Sequence, residues 1–218
     1  MATMTLFAPN AATTYSTRGA TYTPNASGLI TGVPTSGYDL PDLIADGCVV
    51  VSNAYKVGTP GPNVTAVEYG VGHDHTTVLT FGPGAALPAV AGGAALQVGV
   101  LVYTFPAGAQ WVTAAQESVG ITQSQGNINA TTPAVGIGSV VGAGASATLA
   151  GAKINILASS LAANCTGTPT VLTGASTYAA DIGGSRGVYF NAAATWPAGG
   201  DAAAILTGTI TLYWRTIS

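Results

Sequence analysis

The chain of 218 residues carries five Lys or Arg and eight Asp or Glu, so charged side chains make up only 6% of it and the net charge is −3. Ordinary soluble domains carry about four times that share of charge. Because no basic stripe is present to neutralise phosphates, no nucleic-acid partner is expected. A surface that repels its neighbours weakly favours burial in an assembly, although a compact secreted protein with a threonine-rich surface would have the same composition.

No membrane partner is expected either. Residues 85–105 are uncharged and long enough to cross a bilayer. However, Ala and Gly dominate the first half of this stretch, Pro88 interrupts it, and no Lys or Arg flanks it as an anchor. The first ten residues lack the basic start and apolar run of a secretion signal, so export by that route is not expected.

The first 57 residues differ in character from the rest of the chain. Residues 1–36 are rich in Thr, Ala, Asn, Pro and Gly and poor in large aliphatic side chains. This composition predicts an extended arm with little core of its own. Two Pro and two Gly in residues 58–63 are typical of a linker. We therefore predict an N-terminal arm at residues 1–57 and a β-sandwich domain at residues 58–218.

One short helix is predicted within the arm, at residues 39–47. Asp39 or Asp42 is placed to cap it, and Gly47 is placed to end it. Residues 48–52 follow as a short apolar strand candidate.

Residues 96–125 are the stretch around which the second domain is organised. Val98, Val100 and Val102 alternate with other residues at the period of a β-strand, and Pro-Ala-Gly at 106–108 is typical of a turn. The pattern predicts three strands here. Further strands are predicted at residues 65–71, 76–81, 135–141, 146–149 and 188–190.

Residues 153–161 carry the one helical period in the second half of the chain. Ile154, Leu157 and Leu161 would share one face of a helix. We therefore predict a short helix in this segment.

The last strand, at residues 204–217, has the clearest alternation. One side would carry Leu206, Ile210, Leu212 and Trp214, and the other Thr207, Thr209, Thr211, Tyr213 and Arg215. An apolar face and a threonine-rich face are typical of an antiparallel sheet with one side in contact with a core. Roughly eight short strands without long helical crossovers predict an all-β fold, an antiparallel sandwich of jelly-roll type after the extended arm.

His73, Asp74 and His75 are the single cluster of His and carboxylate residues in the sequence. On a strand both imidazoles would point to the same side, with Glu68 nearby in sequence. Zinc requires a third or fourth ligand, and the chain has no further His. A polar turn is therefore the better interpretation, and no metal or cofactor is expected.

The sequence contains no recognisable set of catalytic residues. No Ser lies in a nucleophile motif with a separate base. A glycosidase pair is conceivable among five acids, but their spacing selects none: Glu68, Asp74, Glu117, Asp181 and Asp201. Two cysteines, Cys48 and Cys165, make neither a disulfide framework nor a metal site, and a bridge between them stays open.

Parts of the second domain resemble a family of virion proteins of tailed bacteriophages. The similarity is carried by residues 87–108, by Ile-Thr-Gln at 121–123 with Gly-Asn-Ile at 126–128, and by Val-Tyr-Phe-Asn at 188–191 with Trp196 and the Gly-Asp pair at 200–201. It spans about residues 76–214. Residues 22–30 and 42–48 resemble a short N-terminal module that occurs on various phage virion proteins.

The resemblance implies a capsid decoration protein or head fibre on the exterior of the virion. Such proteins are not enzymes, commonly form homotrimers and bind the major capsid protein. We expect the N-terminal residues to make that contact, with Leu40, Leu43 and Ile44 as apolar anchors at the capsid interface.

Two other functions stay open at the level of sequence. A head or tail appendage could bind a host receptor or glycan, and exposed aromatic residues in loops, such as Tyr178 or Trp196, would support it. Trp111, Trp196 and Trp214 could form a platform on which a sugar stacks. Core packing is the better interpretation of Trp214, which lies on the apolar side of the last strand. A secreted hydrolase or carbohydrate-binding module is the third possibility, and the absence of a secretion signal disfavours it.

Overall fold

The computed structural model describes residues 3–10, 12–25, 28–51, 58–71, 74–162, 164–176, 178–180 and 186–217. Their regular secondary structure is almost entirely β, in antiparallel sheets. Two compact units divide the chain. The N-terminal unit comprises residues 1–57 and 67–76, and the sandwich unit comprises residues 58–66 and 77–218.

The elements follow one another as a run of short strands with few helices. The N-terminal part contains β1 (Thr3–Phe7), β2 (Tyr15–Ser16), β3 (Thr21–Tyr22), β4 (Leu29–Pro34), α1 (Asp39–Ala45) and β5 (Val49–Val51). Next come β6 (Thr59–Pro60), β7 (Val64–Val71), β8 (Asp74–Phe81), β9 (Ala86–Leu87), β10 (Ala95–Thr104) and β11 (Ala109–Gln123). The chain continues with β12 (Ala134–Gly138), a 3₁₀ turn (Gly151–Lys153), β13 (Leu157–Leu161), β14 (Thr170–Ala175), β15 (Ala179–Ala180), β16 (Gly187–Thr195) and β17 (Ala204–Ile217).

The N-terminal unit has a hydrophobic core of its own. Strand β1 lies between β4 and β5, and Val51 of β5 pairs with Tyr69 of β7. Buried aliphatic side chains from separate elements meet in one cluster: Leu6, Ile30, Val33, Leu43 and Val50. The prediction of an extended arm with little core is therefore corrected. These few aliphatic residues are spread widely among polar ones, so composition alone hides the core that they form.

Helix α1 forms where the sequence predicts it, but without the predicted side-chain cap. Its N-cap is Tyr38, which makes no side-chain capping hydrogen bond. Asp39 and Asp42 instead bind the segment between β2 and β3, as described below. After the helix Gly47 adopts φ +84°, a left-handed conformation that glycine tolerates best and that commonly ends helices.

The second unit is an antiparallel β-sandwich, as predicted. One sheet has the strand order β14-β11-β17-β8-β7, with β15 beside β11 and β9 beside β17, and the other has the order β13-β12-β16-β10-β6. Aromatic side chains join the two inner faces. The rings of Phe81 and Phe190 lie 6.3 Å apart, and those of Phe105 and Trp214 lie 5.2 Å apart, each pair edge to face. Such contacts add stabilisation beyond the area that they bury.

Residues 96–125 form two long strands instead of the predicted three. Strand β10 belongs to one sheet and β11 to the other, so the turn at residues 106–108 carries the chain across the sandwich. The two predicted segments after this turn are continuous in β11, which pairs with β17 along its whole length. A register irregularity between Val112 and Ala114 adjusts the pairing without ending the strand.

Strand β17 confirms the alternation in its sequence. All four residues predicted to face the core are at most 2% exposed: Leu206, Ile210, Leu212 and Trp214. The indole N–H of Trp214 donates a hydrogen bond to the Thr77 hydroxyl at 2.8 Å, which satisfies the one polar group of this buried side chain.

The predicted helix at residues 153–161 is wrong. A 3₁₀ turn ends at Lys153, and Leu157–Leu161 forms strand β13, which pairs with β12. Ile156 and Leu157 are buried, whereas Leu161 is exposed. Pairing with a neighbouring strand therefore outweighs a helical period of only three residues. The predicted strand at residues 146–149 is absent as well, since this segment is irregular, with a bend at residues 147 and 148.

Candidate interaction surfaces

The three predicted capsid anchors lie on α1 but do not form one exposed surface. Leu43 is fully buried in the core of the N-terminal unit, and Leu40 packs against that core from its edge. Ile44 is 43% exposed. Only Ile44 is therefore available to a partner of the folded protein, while Leu43 positions the helix that carries it.

Asp39, in the first turn of α1, connects this helix to the turn between β2 and β3. Its carboxylate accepts hydrogen bonds from the Thr17 hydroxyl, from the Tyr22 hydroxyl at 2.9 Å and from the Gly19 amide at 3.2 Å. The bonds from Thr17 and Tyr22 hold the pKa of Asp39 below its ordinary value, because they stabilise the ionised form. The side chain therefore has a structural role.

Asp42, one helical turn later, binds the same segment through Arg18. The guanidinium donates two hydrogen bonds to the carboxylate, from Nη2 at 2.7 Å and from Nε at 3.0 Å. This bidentate pair lowers the pKa of Asp42. Arg18 also lies 4.1 Å from the centre of the Tyr38 ring. The N-terminal unit thus concentrates ionic contacts around its only described α-helix.

The outer side of β11 and β17 forms a second candidate surface, which we call the polar sheet face. Its partly exposed side chains are paired across the two strands, as Gln116 with Thr211 and Ser118 with Thr209. The polar sheet face consists of Trp111, Gln116, Ser118, Thr209, Thr211, Tyr213 and Arg215. Only Arg215 carries a charge, so hydroxyl and amide groups dominate this surface.

Trp111 is the exposed tryptophan at one end of the polar sheet face. Its side chain is 43% exposed, and the Arg215 guanidinium lies 5.7 Å from its ring centre. In contrast, Trp196 and Tyr178, which we expected as exposed ligand-binding aromatics, are buried in the core. Trp111 is therefore the described tryptophan that a ligand can reach.

An open groove of about 500 Å³ lies on the other sheet of the sandwich unit. Hydroxyl and aliphatic side chains line it, including Thr131, Thr148, Thr195 and Leu161. No titratable side chain contributes to its lining. The groove is therefore lined by hydroxyl and aliphatic groups alone.

The polar turn predicted at residues 73–75 is corrected for its described part, because Asp74 and His75 begin strand β8 and His75 forms a buried pair with Glu68. Nδ1 of His75 lies 3.0 Å from Oε1 of Glu68 on the preceding strand, and both side chains are 1% exposed. His73 lies outside the described residues. Within the described ranges, no three His, Cys, Asp or Glu side chains come close enough to hold a metal ion.

Asp201 holds two segments of the sandwich unit together. Burial raises the pKa of Asp201, but hydrogen bonds from Ser124, Gln125 and Ala203 together lower it below its ordinary value. These bonds join the end of β11 to the segment before β17. Asp74 is exposed, and Asp181 lies outside the described residues.

Glu117 is the most unusual charged residue, and sequence reasoning did not single it out. It lies on the core side of β11 and is fully buried. Among the described residues neither carboxylate oxygen has a hydrogen-bond partner. Burial raises the pKa of Glu117 to about 7, because the ionised form loses its hydration without compensation. Alternate residues of a strand lie on the same side. The position of Glu117 between Ala115 and Val119, both in the core, was therefore the sequence signal for its burial.

Both cysteines are buried free thiols. Burial and the nearby Asp201 raise the pKa of Cys165 to about 11. Burial also raises the pKa of Cys48. Both thiols are thus protonated at neutral pH, which makes them poor nucleophiles.

Comparison of the chain with models of protein families, with curated proteins and with solved structures finds no match. Over the described part of the chain, no helix has the length and apolar character needed to cross a membrane.

Proposed function

We propose that this protein is a structural component of a bacteriophage virion that decorates the outside of the capsid. It binds the major capsid protein, stabilises the shell and acts as a homotrimer without a catalytic site or cofactor. The proposal joins the family resemblance of residues 76–214 to the properties of the polar sheet face.

The observation that carries the proposal is the near absence of charge on the polar sheet face. Burying an ionised side chain in an interface is costly unless it is paired. Hydroxyl and amide groups such as those of Thr209, Thr211 and Gln116 are desolvated at lower cost and can exchange water for partner hydrogen bonds. A flat face of this chemistry suits contact with another protein surface.

Stabilisation follows from the number of copies. Each copy that spans a junction between capsomers buries additional surface in the assembled shell but not in the free subunits. Binding to the assembled state alone shifts the equilibrium toward that state by mass action. Small free energies from many copies therefore add to a large effect on the shell.

The N-terminal unit provides the second contact in this proposal. Ile44 on α1 and Val49 at the start of β5 are large aliphatic side chains with 43% and 44% exposure. Ile44 and Val49 replace the three anchors expected from the sequence, Leu40, Leu43 and Ile44, because Leu43 belongs to the core. Ile44→Lys should weaken capsid binding, whereas Val140→Lys, at an equally exposed valine of the sandwich unit, should not.

The test uses capsids assembled without the protein. Wild type, Thr211→Glu and Thr132→Glu are each mixed with these capsids and sedimented. We expect saturable binding of the wild type, loss of binding for Thr211→Glu on the polar sheet face, and unchanged binding for Thr132→Glu on an exposed loop of the same unit. Absence of saturable binding by the folded wild type would overturn the proposal.

Receptor or glycan binding is the second candidate, and exposed Trp111 favours it. An indole beside the Arg215 guanidinium can stack on a sugar ring while the cation binds hydroxyl or acidic groups. Binding on a glycan array that Trp111→Ala abolishes, without any binding to capsids, would support this function in place of decoration.

A further inference from the structure

Glu117 places a carboxyl group in the core of the sandwich unit without a group to compensate its charge. The residue is fully buried, and among the described residues neither carboxylate oxygen has a hydrogen-bond partner. Its pairing partners in the sheet are apolar, Ile210 of β17 on one side and Leu172 of β14 on the other. An ionised carboxylate at this position must gain water, because its burial without hydration is costly.

The two neighbouring strands differ in how well they shield Glu117 from solvent. Ile210 is 0% exposed, and β17 lies between β11 and β8 in the sheet. In contrast, Leu172 is only partly buried, and the residues on either side of it in β14 are exposed. Water therefore has a shorter path to the carboxyl group past β14 than past β17.

A second buried polar group lies on this side of the core. The hydroxyl of Ser160 in β13 is buried, and the described residues provide no hydrogen-bond partner for it. Ser160 pairs with Val135 of β12, which is a core residue. Because directly paired residues share one face of a sheet, the Ser160 side chain also lies on the core side.

Contacts between β13 and β14 place this hydroxyl at the level of the buried carboxyl group. The Ser176 hydroxyl donates a hydrogen bond to the Asn155 carbonyl oxygen at 3.3 Å. Two residues further along each segment, a Cβ atom on Gly174 would lie 3.1 Å from Cδ1 of Leu157. These contacts run in opposite directions along the two segments. Their continuation therefore brings the hydroxyl within one residue of the level of Leu172, the strand partner of the buried acid.

No other charged side chain of the described residues faces the carboxyl group from the strands in contact with β11. These strands are β13, β14, β15 and β17, and their titratable side chains are Tyr213 and Arg215, both on the polar sheet face. Tyr178 and Cys165 belong to the same core, but they lie toward opposite ends of β11. The charge of this part of the core therefore depends on Glu117.

We propose that Glu117 is a pH-sensitive switch of the sandwich unit: when it ionises, β13 and β14 separate locally and water enters to reach the carboxylate and the Ser160 hydroxyl. Water in this space finds two polar partners, which is the minimum that an internal water needs. Burial raises the pKa of Glu117 to about 7, so opening increases as the pH rises from the ordinary value through 7. The inference concerns the free protein and does not depend on the proposed capsid role.

Hydrogen exchange of the full chain between about pH 4 and pH 9, corrected for intrinsic exchange rates, tests the proposal. Relative to Glu117→Gln, the amides of residues 170–175 in wild type should lose protection as the pH rises. The loss should reach about 300-fold, which corresponds to the rise in pKa from 4.5 to about 7. This exchange should depend little on added denaturant, because a local opening exposes little surface. The amides of β17 should exchange through complete unfolding, with a steep dependence on denaturant.

Further variants separate the two polar groups. Ser160→Ala should reduce the opening near pH 9 at least about fivefold, because the closed core then buries no hydroxyl at this position. Ser159→Ala, at the exposed neighbouring position, should leave the opening unchanged. Glu117→Leu is a second neutral variant and should behave as Glu117→Gln does.

Two results would overturn the proposal. One is exchange in β14 that increases with pH equally in wild type and in both neutral variants of Glu117. The other is exchange of β14 in wild type that shows the same steep dependence on denaturant as that of β17, since the strand would then open only with the whole unit.

Discussion

The two units are stabilised by different means. In the N-terminal unit a small apolar cluster is supplemented by ionic and hydrogen-bonded contacts of Asp39 and Asp42 around α1. The sandwich unit has a much larger apolar core that joins two sheets, and it also buries the carboxyl group of Glu117, for which the described residues provide no hydrogen-bond partner. In one unit carboxylates contribute to stability as anions, whereas in the other a carboxyl group opposes stability when it ionises.

These carboxyl groups should therefore affect stability in opposite directions as the pH changes. The pKa values of Asp39 and Asp42 are lowered in the folded state, so their contribution is complete above the ordinary value and is lost as the pH falls. The pKa of Glu117 is raised to about 7, so its burial costs no ionisation energy below the ordinary value, and stability is lost as the pH rises from that value through 7. Asp201 of the sandwich unit acts in the opposite direction to Glu117, because its pKa is lowered.

The largest effects should come from the two cores. Phe105 is 1% exposed and contacts the rings of Tyr103, Tyr178 and Trp214. Phe105→Ala should lower the free energy of unfolding of the sandwich by about 3–5 kcal/mol, because it leaves a cavity among these rings. Denaturant unfolding followed by tryptophan fluorescence measures this change.

Leu43→Ala is the matched change in the N-terminal unit, where about 2–5 kcal/mol is expected for a fully buried leucine. Native-state hydrogen exchange shows in which unit each of the two variants loses stability. Faster exchange in β1 and β4 for Leu43→Ala, and in β10 and β11 for Phe105→Ala, is expected. Equal exchange changes in both units for either variant would contradict the description of two separate cores.

Glu117→Gln should remove a pH dependence of intermediate size. The shift in pKa from 4.5 to about 7 corresponds to about 3 kcal/mol of stability lost between pH 4 and pH 9. The variant should match wild type near pH 4 and exceed it near pH 9 in denaturant unfolding. Comparison with the variant cancels the titration of all other groups. A difference that does not vary with pH would show that Glu117 does not ionise in the folded core.

The smallest effect is expected for the exposed ion pair of Arg18 and Asp42. Asp42→Asn should cause a slight loss of stability of the N-terminal unit that disappears in high salt, because exposed pairs are screened. Thermal unfolding at low and high ionic strength measures it. Asp46→Asn, at an exposed acid just after α1, is the control and should have no salt-dependent effect.

Much of the sandwich could be predicted because its strands bury one face and leave the other polar. In β17 successive residues alternate between the core side and the polar side, and the structure confirms all four residues predicted to face the core. The helix predicted at residues 153–161 failed because Ile154, Leu157 and Leu161 also suit a strand, and pairing with β12 decides between the two. Long-range pairing of this kind leaves no local signal.

The candidate surfaces were less predictable than the fold. The sequence placed Leu43 on an apolar helix face, but whether that face meets a partner or the protein's own core depends on β1 and β4, which are distant in sequence. Low charge, in contrast, was visible from composition alone and is the property that the proposed function uses most directly.

The most direct test of the proposed function is a pair of cryo-electron microscopy reconstructions of capsids, with and without the protein. We expect the difference density on the outer surface to accommodate the sandwich unit, with the polar sheet face or the exposed side of α1 against the major capsid protein. Absence of any difference density on the capsid, or density located only on tail structures, would contradict decoration of the capsid.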